Sequence, residues 1–262
     1  MKINIPHIPE RPSIPRESGV TMMMDKGLSL KEVENFIESS GEYTDLVKFG
    51  FGTSYLCKNL KEKVKLYKSA GLKCYMGGTF FEAFVIRGMF DDYRKVRDQY
   101  GFDAAEVSDG SIIIKHDVKC KYIETLAKES LVLSEVGSKE EGIIIHPNKW
   151  VTMMNKEIQA GSWKVIAEAR EGGNVGIYHR DGKTHGLLVD KILSKVPSEK
   201  IMWEAPQKSQ QVWFIKLLGH NVNLGNIAPN EVISLETLRI GLRGDTFFNY
   251  LPEELNKEIT KF

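Results

Sequence analysis

From Val20 onward, apolar runs of strand length alternate with longer amphipathic segments, and nearly every run ends in a charged residue or a glycine. The central run starts at Leu131 and delivers Glu135, Gly137 and Lys139 into a long loop. Four runs precede it. Val20–Met24 closes on Asp25-Lys26-Gly27, Asp45–Phe49 on Gly50-Phe51-Gly52-Thr53-Ser54, Leu72–Met76 on Gly77-Gly78-Thr79, and Ala104–Val107 on Ser108-Asp109-Gly110-Ser111. Three follow: Trp163–Ala169, ending in Arg170-Glu171-Gly172-Gly173, then Ile201–Glu204, then Val222–Leu224 running into Gly225-Asn226.

Between the runs the spacing predicts helices. Ser29 with Glu32 is a capping-box signature, and Leu30, Val33, Phe36 and Ile37 form the apolar face behind it. Leu60, Val64 and Tyr67 share a second face, with Gly71 past its end. A helical stretch follows the third strand to about Tyr100, and further helices are expected over 149–160, 184–195, 207–218 and 230–240, Pro229 being acceptable in a first turn. Strand–helix units repeated through 262 residues without a linker-like break predict an α/β fold, a single (β/α)8 TIM barrel over 20–262. A doubly wound open sheet is the rival. Residues 1–19, with Pro6, Pro9, Pro12 and Pro15, read as an extended proline-containing N-terminal arm lying on the barrel.

A barrel gathers the C-terminal strand ends at one mouth, which turns scattered residues into one site. Alternation places Glu106 with Ser108, Glu168 with Arg170, and Leu133 with Glu135 on common faces. Pointing inward, Glu106, Glu135, Glu168 and Glu204 form an acidic crescent. Clustered buried carboxylates need a cation or guanidinium among them, and an all-oxygen ring suits a hard ion, Mg²⁺ first. Some of these carboxylates could instead only anchor Arg170, Lys26 or Lys48. Those cations and Lys139 lie at or just beyond strand ends, glycines at 77, 78, 172, 173 and 225 leave backbone N–H groups open, and Gly225-Asn226 precedes a helix where barrels often bind phosphate.

Composition narrows the picture. The chain is 42% hydrophobic and 27% charged with a formal net charge of +1, and no Lys/Arg run tracks a phosphate backbone, so nucleic acid is not an expected partner. No apolar run approaches about 18 residues and no secretion signal opens the chain, so no membrane span is expected. Cys57, Cys74 and Cys120 lack paired spacing, which fits a reducing, cytoplasmic home. His179 and His185 flank the turn Arg180-Asp181-Gly182 and read as a surface hairpin; Trp213 and Phe214 read as core. There is no GxGxxG after a strand, no Walker loop and no GxSxG elbow.

The same strand ends carry a resemblance. Asp25-Lys26-Gly27, Lys48 to Ser54, Gly77 to Glu82, Glu106 to Ser111, Glu135-Val136-Gly137, Ala169-Arg170-Glu171, Glu204 to Gln211 and Leu242 to Phe247 resemble the phosphosulfolactate synthase family in order, from about Arg16 to Phe248. The resemblance implies a homo-oligomer, a trimer being the candidate, and a lyase working in the synthetic direction. It implies Mg²⁺-dependent addition of sulfite to phosphoenolpyruvate, giving 2-phospho-3-sulfolactate through a metal-stabilised aci-carboxylate. Lys139 matches the family's proposed general acid. Glu106, Glu135 and Glu168 are the expected metal ligands. Lys26, Lys48, Ser108, Arg170, Gly225 and Asn226 are the expected substrate contacts. Where the family commonly has two lysines after Glu-Val-Gly, this chain has Ser138-Lys139. The loop from Ser138 to Asn148, hinged at Gly142, is the expected lid. The alternative is a stress-associated or interaction protein without synthase activity, keeping an anion pocket on the same barrel.

Overall fold

A computed structural model describes residues 3–137, 146–169 and 172–255. Its strands are β1 (Thr21–Asp25), β2 (Leu46–Phe49), β3 (Lys73–Met76), β4 (Ala104–Val107), β5 (Leu131–Val136), β6 (Lys164–Ala167), β7 (Ile201–Glu204) and β8 (Leu224–Ile227). They form one parallel sheet in the order β3-β2-β1-β8-β7-β6-β5-β4. β3 and β4 lie side by side at the seam, where Asp103 N–H donates to the Cys74 carbonyl (3.1 Å) and the Asp103 carboxylate accepts from Cys74 N–H (3.2 Å). The fold is therefore the expected barrel rather than an open doubly wound sheet.

The helices are α1 (Leu30–Ser40), α2 (Thr53–Leu56), α3 (Leu60–Ser69), α4 (Gly78–Val85), α5 (Phe90–Tyr100), α6 (His116–Leu126), α7 (Pro147–Gln159), α8 (Gly186–Leu193), α9 (Lys208–Leu218) and α10 (Val232–Arg239). The Ser29/Glu32 capping box opens α1 with both reciprocal bonds made. The helical stretch after β3 is two helices, since a turn with Gly88 at φ 71° separates α4 from α5. The helix α6 was not expected. β8 begins two residues later than Val222 and takes in Gly225-Asn226, because a register shift against β1 accommodates the pair inside the strand rather than in a loop.

Two apolar layers follow from strand alternation. One packs the outer strand faces against the helices. The other fills the barrel with Val20, Met22, Leu46, Tyr75, Ala104, Leu133, Ile166 and Met202, one or two inward residues from each of β1 to β7 and their entries. Trp203 stacks on Phe214 at 4.8 Å in the outer layer, so the aromatic stretch of α9 is core. Residues 3–19 carry no helix or strand, and arginines tie them down: Arg11 Nε donates to Glu236 at 2.8 Å and Arg16 pairs with Asp45 at 3.3 Å. Among the described residues no helix is long and apolar enough to cross a membrane.

The end of β1 is anchored to α3. Asp25 accepts from Gly27 N–H and Leu28 N–H through one oxygen, and its other oxygen meets Lys63 Nζ at 2.6 Å and Tyr67 Oη–H at 3.0 Å. The Asp25, Lys63 and Tyr67 side chains are buried, so removing one charge strands the other. Lys63→Met is expected to lose about 3–5 kcal/mol of folding free energy, read from urea unfolding midpoints. A loss under about 1 kcal/mol, the size of an exposed pair, would show that this pair does not hold the β1 end.

Candidate active site

Each barrel-filling residue has a second inward position two residues further along its strand. Above Leu46 stands Lys48, above Ala104 Glu106, above Leu133 Glu135, above Ile166 Glu168 and above Met202 Glu204. One apolar layer is thus capped by one charged layer, and together they floor a cavity of about 460 Å³ at the C-terminal mouth. The described charged residues lining it are four glutamates and one lysine.

Lys48 is nine-tenths buried, with Nζ 3.0 Å from Glu106, 3.4 Å from Glu204 and 3.6 Å from Glu135. Burial alone would discharge it, but these three carboxylates reverse that and hold its pKa well above the ordinary lysine value. Glu135, Glu168 and Glu204 each turn one oxygen to a common point, the three lying within 4.8 Å of one another. At that separation a pair of unit charges repels by about 3–4 kcal/mol at an effective dielectric near 20. Glu204 shows the result: burial pushes its pKa up to about 7, Lys48 pulls it down, and Glu135 pushes it up again. Its folded form then binds more protons than the unfolded chain between the ordinary 4.5 and about 7, so this group's contribution to stability falls as pH rises through that window.

The predicted site residues are distributed as follows. Glu106, Glu135, Glu168 and Lys48 are brought together with Glu204. The oxygens that converge are those of Glu135, Glu168 and Glu204, whereas Glu106 turns to Lys48 and to the Gly78 N–H at 2.5 Å, at the start of α4. Asn226 lines the cavity from β8 in a left-handed conformation, φ 58°, and its buried Oδ1 has no hydrogen-bond partner among the described residues. A bulge commonly re-aims a side chain in this way beside a functional site. Gly225 serves packing, since a Cβ there would meet Met22 Cε at 2.7 Å. Ser108 is buried below the rim and donates to Glu82, which also accepts from Gly110 N–H and Ser111 N–H and so shapes the β4–α6 loop. Lys26 is exposed over the Phe51 ring, 5.6 Å from its centroid, and does not line the cavity. Lys139, Arg170, Ser138 and Gly142 lie outside the described residues. His179 and His185 sit on a hairpin closed by a Tyr178–Thr184 bridge.

Sequence reasoning passed over Glu82 and Lys119. Glu82 closes the Gly77 to Glu82 stretch, and Lys119 stands on a helix whose period gives no hint that it reaches the strand ends. The donor set at the convergent point is all carboxylate oxygen, which fits a hard divalent cation such as Mg²⁺.

Residues 9–245 match the family described as (2R)-phospho-3-sulfolactate synthase (ComA). The chain belongs to this family. A phosphosulfolactate synthase from Methanothermobacter thermautotrophicus is 41% identical over 244 residues, spanning 91% of this chain and 95% of its own. One from Methanocaldococcus jannaschii is 43% identical over 238 residues, spanning 88% of this chain and 94% of its own. Among solved structures, 3-hexulose-6-phosphate synthase from Salmonella typhimurium overlays with a TM-score of 0.54 at 14% identity, over 86% of this chain and 100% of its own, a likeness of fold. Within the synthase family, then, this chain presents a mouth whose described charges are mostly negative.

Lys48→Met removes the one described cation from that mouth. In metal-free buffer near pH 8 it is expected to cost about 3–5 kcal/mol of stability. The loss should shrink near pH 5.5, because Glu204, with its pKa raised by burial, is then protonated in the folded state and leaves less charge uncompensated. Urea unfolding of both proteins at the two pH values checks this, and an equal loss at both would exclude a charge-balancing role.

Proposed function

We propose that the chain adds sulfite to phosphoenolpyruvate, with Mg²⁺, to give 2-phospho-3-sulfolactate. The observation that carries this reading is the layer of four buried glutamates around Lys48, at the mouth of a barrel belonging to the synthase family. Glu135, Glu168 and Glu204 are the residues that would hold the cation, with Glu106 beside them. When bound, the cation supplies Lewis-acid stabilisation of the substrate carboxylate as it takes up charge, a contribution of several kcal/mol.

The sulfur lone pair forms the C–S bond at the methylene carbon, and the displaced π pair moves toward the carbon bearing phosphate and carboxylate. That carbon then needs a proton. Lys139 is the proposed donor: its ammonium gives one proton to the carbon and is left as an amine until solvent restores it. Arg170 is the proposed bidentate clamp for phosphate or sulfonate, a role that suits its planar fork. Asn226 lines the cavity from β8, and last-strand loops commonly hold phosphate. Lys48 draws Glu106, Glu135 and Glu204 together and favours their charged forms, so that a cation would find donors already assembled.

Mixing purified protein with Mg²⁺, phosphoenolpyruvate and sulfite, and following the phosphorus resonance and product mass, tests the reaction. A sulfite-dependent adduct is expected, abolished by EDTA and restored by excess Mg²⁺. If no adduct forms with Mg²⁺ present, the synthase reading gives way to a barrel protein without this activity. Lys139→Ala should lower turnover by about 10²- to 10⁴-fold with little change in binding of phosphoenolpyruvate with Mg²⁺, measured by calorimetry; unchanged turnover would remove Lys139 from the role.

A further inference from the structure

The three converging glutamates share a feature of their backbone. Each sits where its strand is ending and the ladder gives out, so its peptide carbonyl must find a partner elsewhere. The carbonyl of Glu135 accepts from Lys119 Nζ at 2.5 Å, that of Glu168 from Ile177 N–H at 3.1 Å, and that of Glu204 from Tyr178 Oη–H at 2.6 Å. Two of the three donors are therefore buried side chains from outside the strands, one on α6 and one on the hairpin between β6 and α8.

Both side chains are themselves held. Lys119 is fully buried and spends its other two N–H donors on Asp109 and Glu157, each at 2.9 Å. Burial opposes its charge, but Glu157 and Asp109 more than compensate and raise its pKa, so it remains an ammonium. The hairpin carrying Ile177 and Tyr178 is clamped by α9: Gln210 Nε2 donates to the Gly173 carbonyl at 2.7 Å, and Gln207 Nε2 to the Gly172 carbonyl at 2.6 Å. At Gly176, φ 63°, a Cβ would lie 1.9 Å from the Glu168 carbonyl oxygen, so only glycine lets the hairpin approach this closely. Ala169 N–H in turn donates to the Glu204 carboxylate at 2.9 Å, coupling the ends of β6 and β7.

We propose that Lys119 and Tyr178 are positioning residues that set the spacing of the Glu135, Glu168 and Glu204 carboxylates for one divalent cation by gripping the Glu135 and Glu204 carbonyls from behind. The proposal rests on the metal reading above. Neither residue touches the cation or the substrates. They act through the backbone, where a shift at a strand end moves a carboxylate oxygen out of the common point. Loss of such an outer partner typically costs about 10- to 100-fold in metal affinity.

Titrating the full chain with Mn²⁺, and reading free Mn²⁺ by electron paramagnetic resonance, separates the possibilities. Tyr178→Phe removes one oxygen atom and is expected to weaken Mn²⁺ binding about 10- to 100-fold. Lys119→Met should do the same at Glu135. Tyr67→Phe, which removes a buried hydroxyl from Asp25 on the far side of β1, is the control: it should lower the thermal midpoint about as much as Tyr178→Phe while leaving Mn²⁺ affinity unchanged. If wild type binds Mn²⁺ and Tyr178→Phe binds it equally well, the positioning role is overturned; should Lys119→Met fail to fold, Tyr178→Phe decides alone. If wild type binds no Mn²⁺, the metal reading fails and takes this proposal with it.

Discussion

Lys48 is the charge on which the mouth depends. Four glutamates on neighbouring strands are all nearly inaccessible to water, and among the described residues one ammonium sits within 3.0–3.6 Å of three of them. Taking carboxylates out of water costs several kcal/mol apiece unless the interior answers with opposite charge and hydrogen bonds. Among the described residues the answer is Lys48 together with backbone donors, and burial still raises the pKa of Glu204, with Lys48 pulling it down and Glu135 adding to the rise. The barrel geometry is what gathers these carboxylates, since neighbouring strands bring their inward residues to the same mouth.

Holding such a layer together requires rigidity around it as well as charge within it. The apolar layer below, with Tyr75, Leu133, Ile166 and Met202, closes the barrel to water from beneath and lowers the local dielectric. Close backbone approaches do the rest at the rim. Gly137, φ 149°, sits where a Cβ would lie 2.4 Å from Glu168 Cβ, so the end of β5 presses directly on the neighbouring glutamate. Glu82, Lys119 and Tyr178 then take the loose polar groups of the β4 loop, β5 and β7. A layer held in this way has little freedom to relax its charges apart, which is the condition for a prearranged cation site.

The part of this that could be read in the sequence was the part written in a period of two. Glu106, Glu135, Glu168 and Glu204 could be placed on inward faces because strand alternation carries a residue from the apolar floor to the charged layer in one step. Lys48 stood out as a cation at a strand end and as one of three candidate anchors for the carboxylates, and the distances pick it out as the partner of Glu106, Glu135 and Glu204. What stayed hidden depended on contacts between distant segments. Lys119 is 16 residues from the carbonyl it holds and Tyr178 is 26 from its own, and nothing in local spacing marks either. The Gly225-Asn226 pair carried a turn signal, yet a register shift against β1 keeps it in β8, and there the left-handed Asn226 is what points into the cavity. Lys26 followed the strand-end rule and still ended over Phe51 in solvent, because a long side chain one residue beyond the strand is free of the strand's alternation.

The sign of the charge at the mouth also constrains how the chemistry can work. The proposed substrates, phosphoenolpyruvate and sulfite, are both anions, and the described lining of the cavity, four glutamates and one lysine, is mostly negative. Two anionic reactants at about 4 Å already repel by roughly 4 kcal/mol per pair of unit charges at an effective dielectric near 20, before the glutamates are counted. A divalent ion among Glu135, Glu168 and Glu204 would bring the layer, with Lys48, close to neutrality. The cations that the sequence supplies at Lys139 and Arg170 would then be left to act on the substrates instead of on the protein's own carboxylates. On the proposed reading, the glutamates would take up the charge of the cation, and a chain with a formal net charge of +1 would offer its substrates a mouth no longer strongly negative.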